Sequence, residues 1–213
     1  MKYERVITNV LAPWRENKEF LDVYNIIKKN TLVDLYRCYD LWSLVGQSKK
    51  LEGDLIEVGV WRGGTGVLIG CRDRRSKIYL CDTFKGVVKS SNHDSFYFNG
   101  EHSDATRGQV ESLINKFELS NVRILEGVFP DNFMDLPIEK IKFCHIDVDV
   151  FESAKGVLDW VWSKMVLGGI VVFDDYGFIR CNGVTKYVNS IKDLKDRIFC
   201  YNLNGHGILI KIK

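Results

Sequence analysis

The sequence predicts an α/β fold with a mainly parallel sheet and one antiparallel strand near its edge. Three observations carry this. From Leu51 onward, short apolar runs alternate with segments of helical periodicity, the signature of successive βα units. Two of the runs close on acidic residues, Asp147 with Asp149 and Asp174-Asp175, as expected where strand ends form a ligand-binding edge. The last two runs are joined by Asn204-Gly205, a strong hairpin signal that supplies the antiparallel strand.

Taken in order, residues 1–50 read as a helical segment preceding a domain that spans 51–213. Phe20, Val23, Tyr24, Ile26 and Ile27 recur at helical spacing, and Leu32, Leu35, Tyr36, Leu41, Trp42 and Leu44 resume it after a break near Asn30. Within the domain, strands are expected at 54–59, 77–82, 121–125, 141–147 and 169–173, followed by runs at 197–203 and 207–212. Helices are expected at 64–72, 106–117, 153–166 and 185–194, with Val110, Leu113, Ile114 and Phe117 sharing one face of the second. Residues 84–104 break the rhythm. A connection this long without periodicity suits a lid over a ligand, with Phe96-Tyr97-Phe98 as its apolar weight and His93 and His102 as acceptor-side residues. A fixed surface excursion with two solvent histidines is the alternative.

The chain's 213 residues suffice for one domain with a sizeable core. Its 30 basic and 28 acidic residues leave a net charge of +2, which argues for neither nucleic acid nor an acidic membrane surface as partner. The six cysteines show no C-x-x-C spacing and no histidine pairing suited to zinc. Met1 to Arg5 lacks an apolar leader, and no run of about 18 apolar residues occurs, so a cytoplasmic protein is expected.

The two acid clusters carry the chemistry. Neighbouring strands ending in Asp147, Asp149, Asp174 and Asp175 would crowd carboxylates whose repulsion calls for a proton or a cation. A hard, oxygen-seeking ion such as Mg²⁺ is the simplest neutraliser; ordinary loop acids or helix caps are the plain alternative. Upstream, DLIEVGVWRGGTG (54–66) puts Glu57 inside a strand and Gly59, Gly63 and Gly64 in the turn after it, where backbone amides can face a ligand. The next strand ends in Asp82, placed to accept ribose hydroxyls. No lysine follows the glycines, which excludes a Walker-type loop, and the run is not the dinucleotide G-x-G-x-x-G pattern. An acid in the first strand suits the cationic S-adenosylmethionine better than a pyrophosphate.

These stretches resemble the macrocin-type O-methyltransferases, which methylate sugar hydroxyls of macrolides and related natural products. The resemblance rests on EVGVWRGG (57–64), CDTFKG (81–86), EGVFPD (126–131), HIDVDVFESA (145–154) and LGGIVVFDDYG (167–177). It implies a class I methyltransferase fold of seven strands with helices on both faces, S-adenosylmethionine as donor, and Mg²⁺-assisted transfer to a sugar-like hydroxyl. Carried over by motif, Asp147, Asp174 and Asp175 hold the metal and Asp82 the ribose. Glu57 with the Gly59 turn meets the methionine end, and Gly127 and Phe129 lie near the adenine. Four positions of the first acidic motif depart from the family, Val148, Val150, Phe151 and Ala154, as does Val128 where a tryptophan is usual. Val87-Val88-Lys89-Ser90 replaces a Gly-Met-Pro-rich segment on the acceptor side, so substrate identity does not transfer. The region before the sheet is shorter than usual, which leaves a homodimer an open expectation.

A metal-bound alcohol is acidified and aligned with the sulfonium methyl. Asp147 is the first candidate for general base and Asp149 the second. His145 shares a face with Asp147, but a satisfied core histidine is the favoured reading there. The same acids would also serve a metal-dependent hydrolase or nucleotide-sugar enzyme, and a non-catalytic methyltransferase-like binding module is the third reading.

Overall fold

The computed structural model describes residues 11–213, so the reading of Met1 to Arg5 lies outside the described residues. Among the described residues, two helices precede the sheet. α1 (Lys18–Ile27) is capped by Asn17, and α2 (Leu35–Ser48) by Asp34, whose carboxylate accepts from the Tyr36 and Arg37 amides at 2.8 and 3.1 Å. Then follow β1 (Asp54–Val58), α3 (Gly64–Arg72), β2 (Ile78–Asp82), α4 (Arg107–Lys116) and β3 (Val122–Glu126). The second half comprises β4 (Ile141–Ile146), α5 (Phe151–Trp162), β5 (Met165–Phe173), α6 (Asn182–Ile191), β6 (Arg197–Tyr201) and β7 (Gly207–Lys211).

The seven strands form one sheet in the order β3-β2-β1-β4-β5-β7-β6. β7 runs antiparallel to both β5 and β6, and the remaining pairings are parallel, as the alternation and the Asn204-Gly205 turn predict. Side chains alternate across the sheet and feed two cores. Leu55, Leu80, Phe143 and Val172 pack with α1 to α4 on one face. Ile56, Cys81, Cys144, Ile146 and Phe173 pack with α5 and α6 on the other. The N-terminal helices are therefore part of the first core: Phe20, Leu41 and Trp42 are buried within it.

Several boundaries differ from expectation: α6 spans Asn182–Ile191 where 185–194 is expected, and the largest change lies between α5 and β5. The helix read as 153–166 ends at Trp162, and β5 begins at Met165. Ile141 pairs with Met165 and Phe143 with Ile170, so the β5 chain bulges between those rungs, where Gly168 takes φ +77. The sheet thus claims Met165 and Val166, which read as apolar helix positions in isolation.

Residues 84–104 contain neither helix nor strand. They are strapped across the N-termini of α5 and α6. Asp94 accepts from the Phe151 amide at 2.9 Å, Ser153 donates to the Val88 carbonyl at 2.7 Å, and Asn182 donates to the Ser95 hydroxyl at 2.9 Å. Trp61 and Arg62 hold Asp104 at the far end, at 2.7 and 2.6 Å. The Phe96-Tyr97-Phe98 run is not a single apolar patch facing inward. Phe96 and Phe98 are exposed, whereas Tyr97 packs against the second core.

Candidate active site

The carboxyl ends of β1, β2, β4 and β5 surround a cleft of about 1060 Å³ counting its open mouth. Its floor depends on Gly59. This residue follows β1 at φ +88, donates to the Cys81 carbonyl at 2.9 Å, and lies so close to the Asp147 carbonyl that a Cβ would sit 1.6 Å from that oxygen. Gly63, at φ +85, is the left-handed residue from which α3 starts. Asp82 fixes the turn between them. One oxygen accepts from the Val60 and Trp61 amides at 2.7 and 2.8 Å, and the other from Phe84 at 2.7 Å.

Across the cleft, Asp147, Asp174 and Asp175 each present a carboxylate oxygen within 4.8 Å of the others. Asp149, at φ +65, stands beside them and lies 3.8 Å from the Cys181 thiol. Burial, then the charges of Asp174 and Asp175, push the Asp147 carboxyl well above the usual range. Burial and the same neighbours raise Asp149 to about 8, and burial with Asp174 raises Asp175 to about 6. Asp174 goes the other way. Burial alone would raise it, but the imidazoles of His145 and His206 and the Arg37 guanidinium hold it well below the ordinary value. Three raised carboxyls around an anchored one make an electron-rich pocket of hard oxygen donors, a set that fits Mg²⁺.

Two of the anchoring residues, Arg37 and His206, are not among those singled out from the sequence. Arg37 on α2 pairs through Nη1 with Asp174, and with Asp175 at 3.1 Å, while its Nε bonds Asp34 at 2.9 Å. His206, just before β7, lies 2.9 Å from the other Asp174 oxygen. On the strand beside β5, His145 Nδ1 lies 2.7 Å from Glu57, both side chains fully buried, and its Nε2 faces Asp174 at 3.9 Å. Burial would lower His145, but Asp174 and Glu57 raise it to about 10.

Of the residues singled out from sequence, Gly59, Asp82, Gly127, Phe129, Asp147, Asp149, Asp174, Asp175 and His102 line the cleft. Three do not. The Glu57 carboxylate is turned into the sheet toward His145, so it supports the wall instead of facing a ligand. Gly63 shapes the turn from behind, against Val110. His93 is an outer residue whose ring stacks on Phe151 at 4.2 Å, because the strap enters the cleft with Gly86 to Val88, Tyr97 and His102 and passes outside it at His93. His102 Nε2 lies 3.4 Å from the Tyr97 hydroxyl, a pairing that no spacing in the chain announces.

The chain matches the macrocin-O-methyltransferase (TylF) family over residues 23–203. It is 29% identical over 172 residues to the 8-demethyl-8-(2,3-dimethoxy-alpha-L-rhamnosyl)-tetracenomycin-C 4'-O-methyltransferase of Streptomyces olivaceus, covering 74% of this chain and 65% of that protein, just under two thirds of its length. It is 24% identical to the mycinamicin III 3''-O-methyltransferase of Micromonospora griseorubida, covering 79% and 74%. Among solved structures, the O-methyltransferase NovP superposes with a TM-score of 0.74 at 22% identity, over 86% of this chain and 83% of that one. With the motifs, the seven-stranded sheet and these likenesses in agreement, the chain belongs to the macrocin O-methyltransferase family and has the class I O-methyltransferase fold.

Proposed function

We propose that this chain transfers the methyl group of S-adenosylmethionine to a hydroxyl of a sugar or glycosylated small molecule, assisted by Mg²⁺ held by Asp147, Asp174 and Asp175. The observation that carries the proposal is the contact of Gly59 with the Asp147 carbonyl, which joins the nucleotide turn and the acid cluster in one cleft. Two relatives are named as the 4'-O-methyltransferase of a rhamnosyl-tetracenomycin and the 3''-O-methyltransferase of mycinamicin III, and the rhamnosyl group in the first name supports a sugar hydroxyl as acceptor.

In this reading the residues divide the work. The Asp82 turn, with Gly127 and Phe129, forms the donor end. Asp147, Asp174 and Asp175 would hold the cation, which when bound would supply the positive charge that acidifies an acceptor hydroxyl. Asp147 belongs to the three carboxylates that would hold the metal, so Asp149, which stands beside them and outside that trio, takes the role of general base. Tyr97 and His102 offer polar groups to the acceptor, and Leu32, Val87 and Val88 line the same cleft with apolar surface that excludes water. Calorimetric titration with S-adenosylhomocysteine tests the donor. The expected result is saturable binding, with no response to NAD; tight NAD binding and silence toward the sulfur nucleoside would overturn the proposal.

A further inference from the structure

The acid cluster already contains a cation, and it comes from the N-terminal helices. Arg37 lies on α2 between positions that face the core, is only 7% exposed, and reaches the cleft wall. Its guanidinium is restrained on three sides. Asp34 holds Nε, the Asp174-Asp175 pair holds Nη1, and the Phe178 ring lies 5.0 Å from its central carbon. The helix beneath cannot easily carry it away, because Cys38, Leu41 and Trp42 are fully or almost fully buried in the first core.

Two of the three carboxylates in the metal-binding group are therefore shared with a fixed positive charge. Asp174 is the more committed, with one oxygen on Arg37 and the other on His206. A divalent ion binding the same carboxylates must share lone pairs with a guanidinium of like charge, or displace it from Asp175, where the contact is the longer one.

We infer that Arg37 is a built-in counter-cation of this cluster: it orders Asp174 and Asp175 before metal arrives and holds metal affinity down. The inference rests on the metal reading above. It makes Arg37 a positioning residue, and gives the N-terminal helices a part in the active site besides covering the sheet.

The test uses the full chain, stripped with EDTA and titrated calorimetrically with Mg²⁺ and Mn²⁺, alongside thermal unfolding with and without each ion. Arg37→Met keeps the stem volume and removes the charge; Arg37→Lys keeps a charge but loses the fork. Relative to wild type, R37M is expected to unfold at a lower temperature in EDTA. It should bind either ion about tenfold more tightly and gain more from the metal in unfolding temperature. R37K should lie between the two proteins. Equal or weaker metal binding by R37M, with binding intact in wild type, overturns the inference and leaves the metal reading standing. If neither protein binds either ion, the metal reading falls and takes the inference with it. If R37M does not fold, the Arg37 Nε–H resonance of wild type decides. It should shift as Mg²⁺ saturates the protein, and a resonance unmoved at saturation overturns the inference.

Discussion

Replacing Gly59 by alanine is the sharpest test of how the two halves of the cleft are joined. The added Cβ would lie 1.6 Å from the Asp147 carbonyl oxygen, where real Cβ atoms keep at least 3.0 Å, so the end of β1 and Asp147 must separate by about 1.4 Å. The Asp147 amide donates to the Val58 carbonyl at 2.9 Å in the same place, and that separation would break it. The lost bond costs about 0.5–1.5 kcal/mol. An alanine held at φ +88 costs about 1–2 kcal/mol, and the overpacking about 1–3 kcal/mol. Together they predict a loss of about 2.5–6.5 kcal/mol, a large share of the 5–15 kcal/mol typical of a domain. Gly100→Ala is the control, since its φ is +94 but no atom lies within 4 Å of where its methyl would stand, and only the backbone penalty of about 1–2 kcal/mol applies. Urea unfolding followed by circular dichroism measures both variants. If G59A falls within about 1 kcal/mol of G100A, the close approach that ties Asp147 to the nucleotide turn is refuted.

Asp82→Ala removes the acceptor of three backbone amides and the carboxylate proposed to hold the donor, and should weaken S-adenosylhomocysteine binding by about 1.5–3 kcal/mol in calorimetry. Unchanged affinity would remove Asp82 from the donor end. Asp73 and Lys142 form a buried pair at 2.9 Å that ties α3 to β4. Burial would raise the Asp73 carboxyl, but the Lys142 ammonium and the Arg75 amide hold it below its usual value. Its stabilisation is therefore complete above about pH 4 and disappears as pH falls through the lowered folded value. Asp73→Asn should cost about 3–5 kcal/mol at neutral pH and flatten the acid limb of the stability curve; an unchanged limb would contradict this. Hydrogen exchange across 84–104 should slow when S-adenosylhomocysteine binds, because Tyr97 and His102 line the cleft while Asp94 and Ser95 tie the strap to α5 and α6. Equal exchange with and without ligand would make the strap a fixed wall.

Much of this arrangement is legible in the sequence because buried parallel strands are nearly continuous apolar runs, and their acids stand out at the ends. Asp82, Asp147, Asp174 and Asp175 can be placed on one edge without knowing any contact. Arg37 and His206 cannot, because their partners are remote: Arg37 meets Asp174 across 137 positions. A signal exists nonetheless. Arg37 lies within the stripe that Cys38, Leu41, Trp42 and Val45 bury, and a charge on such a face requires a buried partner of opposite sign. Glu57 reads as ligand-facing because nothing local shows that β1 lies beside β4, whose register sets it opposite His145. His93 and His102 are indistinguishable in the sequence; only the path of the strap separates the one that stacks on Phe151 from the one that enters the cleft.

The central claim is tested most directly by transfer itself. The chain is incubated with methyl-labelled S-adenosylmethionine and a panel of nucleotide-activated sugars and glycosylated metabolites, with Mg²⁺ or with excess EDTA, and products are read by mass. The account predicts one added labelled methyl per acceptor molecule, on a sugar hydroxyl. It also predicts loss of that product in EDTA and in Asp175→Asn, whose carboxylate is one of the three proposed to hold the cation. Methylation that persists undiminished in EDTA and in D175N would contradict the metal's part in the reaction, and S-adenosylmethionine left uncoupled from every sugar acceptor would contradict the reaction assigned to the cleft.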